Sequence, residues 1–128
     1  MRLLIFNKRN TPYFETTGLR TWLLVAESTT NNSNVSMSLT ELDVNGIQPI
    51  HSHEPEQCLF IVEGKALVTV GEENQEVRKD DTIFVPSNFK HGIRNVGASK
   101  LIYITASGPV FGLDYERRLW PFLPEHEA

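Results

Sequence analysis

The chain has 128 residues, 40% hydrophobic and 22% charged, with 12 Lys and Arg against 16 Asp and Glu for a formal net charge of −4. That is one domain's worth of chain, long enough to bury a core, and it carries no basic stripe that would engage nucleic acid or an anionic membrane surface. A single cysteine, Cys58, excludes an intrachain disulfide and any paired-cysteine motif, which fits a reducing, cytoplasmic setting. The start, MRLLIFNKRN, lacks the apolar length of a signal peptide, and no stretch approaches membrane-spanning length.

In chain order, WLLVAES (22–28) and VSMSLTEL (35–42) read as strands, with TTNNSN (29–34) as the turn between them. LFIVEG (59–64) and KALVTVG (65–71) follow, rich in β-branched residues and each ended by a glycine. EENQ (72–75) reads as a polar turn and EVRK (76–79) as a short polar strand; DTIFVP (81–86) is a strand stopped by Pro86, and KLIYITAS (100–107) is the last strong strand. Turn signals recur roughly every eight to twelve residues, the mark of an all-β sandwich or barrel. LDYERRLW (113–120) predicts one or two helical turns. The spacing gives a single domain over 1–128, with residues 1–12 and the tail after Ser107 as short additions to a barrel. The tail's Phe111, Tyr115, Trp120 and Phe122 predict packing against the barrel or a second subunit.

Two of the four histidines sit two apart in HSHEPEQ (51–57). Strand side chains alternate faces, so an extended 51–57 would present His51, His53 and Gln57 together and turn Glu54 and Glu56 away. Two neutral imidazoles at that spacing can close on one ion, and Gln57 can add an amide oxygen. A third histidine, His91, opens the segment after the turn residues of PSNFKHGIRN (86–95), where a neighbouring antiparallel strand would set it opposite the first pair. His126 reads as a solvated tail residue.

These two stretches resemble the paired motifs of the cupin superfamily. Gly46, His51, His53, Gln57 and Gly64 stand for the first motif, and Asp80, Pro86, Asn88, His91 and Asn95 for the second. The resemblance covers residues 35–107 and implies a double-stranded β-helix, a jelly-roll barrel with a metal site in its mouth. Asp80 and Asn88 stand where the family has glycines, and both types suit turns. Gln57 stands where most metal cupins have glutamate. Glu56 is adjacent and would reach the site only through a bulge, and Gln57 itself reads either as a ligand or as a partner that orients a histidine.

Four neutral ligands, His51, His53, Gln57 and His91, would leave a divalent ion its full charge toward an open position, which suits Lewis-acid chemistry. Among cupins the form HSHxxEQ is similar to the pectin-degradation cupins that convert unsaturated uronates to keto forms, and to small polyketide cyclases. The expected function is metal-dependent isomerase, lyase or cyclase chemistry on a small polar substrate. The alternatives are an iron or manganese dioxygenase and a non-catalytic small-molecule binding protein. Zinc, manganese, iron and nickel all suit the ligand set. The implied partners are a small molecule and a second copy in a homodimer, without nucleic acid or membrane. Trp22, Phe60 and Phe84 read as core or pocket wall, Tyr103 as packing, and Cys58 as a small hydrophobe. Lys90 and Arg94 read as solvated charges. Glu41 shares parity with Met37 and Leu39; if those face inward it is an acid in an apolar barrel, and a surface position at the strand end is the other reading.

Overall fold

Ten strands and one helical turn make up the regular structure of a computed structural model of the chain, which describes residues 3–32 and 34–110. In order these are β1 (Tyr13–Thr16), β2 (Leu19–Val25), α1 (Glu27–Thr30), β3 (Ser36–Leu42), β4 (Ile47–His51), β5 (Glu56–Glu63), β6 (Lys65–Val70), β7 (Glu73–Arg78), β8 (Thr82–Val85), β9 (His91–Asn95) and β10 (Leu101–Gly108). They form two antiparallel sheets, a six-stranded one in the order β1-β2-β3-β10-β5-β8 and a four-stranded one in the order β4-β9-β6-β7. The non-sequential neighbours are the crossovers of a jelly roll, and the expected double-stranded β-helix is what the chain adopts.

The core lies between the sheets. Leu19, Leu42, Ile61, Leu101 and Tyr103 from the larger sheet meet Ala66, Val68, Val77 and Ile93 from the smaller. Each fully buried aliphatic side chain contributes about 1.5–3 kcal/mol relative to exposure. Asn95, at the end of β9, is 1% exposed and binds three strand ends together: its Nδ2 donates to the carbonyls of Leu42, Asp43 and Ser99, and its Oδ1 accepts from Gly97 N–H.

The strand expectations hold with local corrections. β2 stops at Val25, and residues 27–30 turn as a short helix instead of continuing the strand. The Thr29 and Thr30 hydroxyls donate to the Ala26 carbonyl, offering the backbone a local alternative to the sheet. β7 already begins at Glu73, because Gly71 at φ +62° tightens the hairpin to less than the expected turn 72–75. Asp80 and Asn88, the two motif positions without glycine, both sit in the left-handed region, at φ +76° and +65°. The helix expected over 113–120, the tail aromatics and His126 lie outside the described residues.

Where it meets the pocket, the larger sheet carries hydroxyls on its inner face and apolar side chains on its outer one. On its inner face Ser38 pairs with Thr105, and Thr40 with Tyr103; on its outer face Trp22 pairs with Leu39, Leu39 with Ile104, and Ile104 with Phe60. Phe60 and Phe84 are 39% and 55% exposed, so neither is core; Phe84 lines a shallow pocket on the outer face instead of the pocket between the sheets. Trp22 packs 5.0 Å from the Tyr13 ring, beneath the Lys8 ammonium, 4.1 Å from its centroid. Cys58 is exposed on the same outer face, where it is paired with Ala106 and Phe84.

Candidate metal centre

His51 is the last residue of β4 and His91 the first of β9, and the two pair directly across the smaller sheet. Gly92 permits this approach: a Cβ there would lie 3.0 Å from Ile50 Cγ1 and 3.1 Å from the Gln48 carbonyl. His53 reaches the site differently. The stretch 51–57 is not one extended strand, because residues 52–55 cross from the smaller sheet to the larger one. This crossing segment is fastened to the turn before His91, where Asn88 N–H donates to the His53 carbonyl at 2.8 Å and Ser87 Oγ to the Glu54 carbonyl at 2.6 Å. The three histidines therefore meet through two sheets and a crossover, not through the parity of a single strand.

The ring centroids are 4.3 Å apart for His51 and His91, 4.7 Å for His53 and His91, and 5.3 Å for His51 and His53. One ligand nitrogen from each ring lies within 4.8 Å of the others. The Nδ1 atoms contact the carbonyls of Pro49, Pro55 and Phe89 at 2.8, 2.9 and 2.9 Å, respectively for His51, His53 and His91. A carbonyl only accepts, so each Nδ1 carries a proton and donates it. A neutral ring then keeps its lone pair on Nε2, the tautomer a metal requires, held by a backbone partner behind it. The Nε2 of His91 is buried and has no hydrogen-bond partner among the described residues, and the Nε2 of His53 is buried beside it. An unsatisfied buried acceptor costs about 1–3 kcal/mol, which a bound cation would offset.

Protonation favours the same role. Burial lowers the pKa of His51 and of His91. His53 is pushed down to about 4 by burial and by the neighbouring His91 and His51 rings. All three are neutral at pH 7 and ready to ligate without first losing a proton. The three histidines are positioned to bind one metal ion, and the donor chemistry fits a divalent first-row cation.

Residues 38–107 match the Cupin domain family. The chain belongs to the cupins. Over 80 residues it is 35% identical to the uncharacterized protein MJ1618 of Methanocaldococcus jannaschii, a match covering 60% of this cupin and 64% of that protein. Among solved structures it is similar to an RmlC-like cupin from Shewanella frigidimarina, with a TM-score of 0.74, 21% identity, and coverage of 89% of this chain and 96% of that one. It is also similar to a predicted oxalate decarboxylase from Thermotoga maritima, with a TM-score of 0.73, 14% identity, and coverage of 84% and 100%.

The pocket of this cupin lies between the sheets with the histidines in its wall. Gln57, on β5, lines the same pocket, while its neighbour Glu56 is exposed on the outer face beside Cys58 and Phe84. Glu41 is not an acid in the barrel. It belongs to the outer face, with Leu39, and its carboxylate lies 3.1 Å from Lys8, 3.4 Å from Arg20 and 3.4 Å from Lys100. Burial alone would raise its pKa, but these cations hold it below the usual carboxylate value. Tyr103 is fully buried packing, as expected, and its hydroxyl donates to Gln48 Oε1. Lys90 and Arg94 are exposed. The sequence reading missed Gln48 and the inner hydroxyls Ser36, Ser38, Thr105 and Ser107, all of which line the pocket. The Ser-x-Ser-x-Thr alternation over 36–40 carried the signal.

Proposed function

We propose that this cupin is a metal-dependent enzyme that binds one divalent ion through His51, His53, His91 and Gln57 and carries out isomerase, lyase or cyclase chemistry on a small polar substrate. One observation carries the reading: three imidazoles held in the neutral, Nε2-presenting form line a pocket to which no described carboxylate contributes. A divalent ion held there would supply Lewis-acid polarisation of a carbonyl or hydroxyl with its charge undiminished by the protein. The chain's own residues would do the rest. The backbone carbonyls of Pro49, Pro55 and Phe89 fix the rings, Gln57 adds a neutral oxygen, and Leu59 and Ile93 keep the back of the pocket dry.

The test begins with elemental analysis of protein purified without chelator or nickel affinity, for the wild type and His91→Ala. Near-stoichiometric metal that is lost in the variant supports the site. The loaded protein is then incubated in deuterated water with small hydroxy-carbonyl compounds, and NMR follows deuterium entering beside the carbonyl. Metal-dependent exchange supports the reading. Oxygen consumption without exchange would favour an iron or manganese dioxygenase, and retention of a ligand without turnover would favour a binding protein.

A further inference from the structure

The inner wall of the larger sheet, across the pocket from His51 and His91, is a ladder of hydroxyls. Its outermost row is Ser36, Ser107 and Gln57, since Ser107 pairs with both others. The next row pairs Ser38 with Thr105, and the floor is Thr40 with Tyr103. The floor is internally satisfied: Thr40 shares a hydrogen bond with Thr21, and Tyr103 donates to Gln48 Oε1. The outer rows are not. Among the described residues the hydroxyls of Ser36, Ser38, Thr105 and Ser107 make no hydrogen bond, although all line the pocket and Ser107 is only 5% exposed. Tyr103, by occupying the Gln48 oxygen, leaves the Gln48 amide N–H₂ as a donor on the pocket side. Hydroxyls that line a pocket and have no partner in the protein are free to donate to and accept from a ligand there.

The wall carries no charge. No described Lys, Arg, Asp or Glu lines the pocket. Lys8, Arg20 and Lys100 are committed to Glu41 on the outer face. A carboxylate or phosphate pressed against this wall would be desolvated without a counter-charge, whereas hydroxyls donate and accept and so match alcohol and carbonyl oxygens equally. We propose that the part of the ligand remote from the histidines is uncharged and carries hydroxyl or carbonyl oxygens, read by Ser38, Thr105, Ser107 and Gln48. The histidine-bound end is left to the metal; in this respect the inference rests on the function proposed above.

The experiment compares two probes that share a hydroxyketone end and differ in charge at the other end, dihydroxyacetone and dihydroxyacetone phosphate. Both are titrated into metal-loaded protein by calorimetry, with the wild type, Ser38→Ala/Thr105→Val and, as a milder variant, Ser107→Ala. The neutral ketose is expected to bind at least tenfold more tightly than its phosphate. The double variant is expected to lose about tenfold in ketose affinity while keeping its metal content. Equal or tighter binding of the phosphate, an unaltered ketose affinity in all variants, or no binding of the ketose would each overturn the inference. If the protein holds no metal, the function proposed above fails by itself, and the same two probes titrated into metal-free protein still report whether the wall prefers the uncharged one.

Discussion

Asn88 donates its backbone N–H to the His53 carbonyl across 2.8 Å, so the turn that launches His91 also holds the segment that carries His53. Two of the three clustered histidines are thereby set by one turn, whose left-handed residue stands at φ +65°. A β-branched side chain there costs about 1–2 kcal/mol. Asn88→Gly is expected to match the wild type in metal affinity, measured by competition with a chelator, and Asn88→Val to lose about tenfold. Equal affinities in the two variants would show that the turn does not position His53.

The metal-free protein should weaken in acid for a defined reason. In the unfolded chain His53 takes up a proton near pH 6.5, whereas in the folded chain burial and its two imidazole neighbours delay protonation to about pH 4. Between those values the unfolded state binds more protons, so the contribution is fully present above pH 6.5 and is lost as pH falls toward 4. His51 and His91 are shifted in the same direction. Urea unfolding at pH 7.5 and pH 5 should differ by on the order of 1–2 kcal/mol. His53→Gln should flatten that dependence, and a slope unchanged in the variant would place the acid sensitivity elsewhere.

Asn95 is a structural clasp rather than part of the pocket. Its amide N–H₂ faces three carbonyls, from Leu42, Asp43 and Ser99. Asn95→Asp replaces the donor with an acceptor of nearly identical shape. The resulting repulsion and lost hydrogen bonds should cost about 3 kcal/mol or more, against about 2 kcal/mol for Asn95→Ala. Denaturant midpoints check the order; an Asp variant as stable as the Ala variant would mean that the side chain can turn outward.

The sequence disclosed the strands, the motif pair and the three histidines because each depends on local chemistry: β-branched runs, turn residues and imidazole spacing. What it did not disclose depends on which face of a sheet turns inward. Leu39, Trp22 and Phe60 look like core residues in the sequence, yet register places them on the outer face, while the small hydroxyls of β3 and β10 line the pocket. That register moved Glu41 from a candidate base to an ion-paired outer position. The meeting of His51 and His53 was foreseen for an inexact reason, since residues 52–55 leave the strand. A proline at 55 and a hydrogen bond from Asn88, 35 positions along the chain, are not visible as strand parity.

Gln57 is where residual charge is decided. It lines the pocket with the histidines from the opposite sheet, on a strand paired to Ser107 and Val85. If its oxygen is a ligand, as proposed, Gln57→Glu adds a negative charge at the ion and should tighten binding about tenfold or more in a chelator competition. The same change should reduce Lewis-acid strength, so metal-dependent deuterium exchange should slow although the site is better filled. Gln57→Ala should keep a weaker site built on three imidazoles. Tighter binding with slower exchange would identify Gln57 as a ligand. Unchanged affinity in both variants would place it outside the coordination sphere and leave the three histidines as the protein's whole contribution.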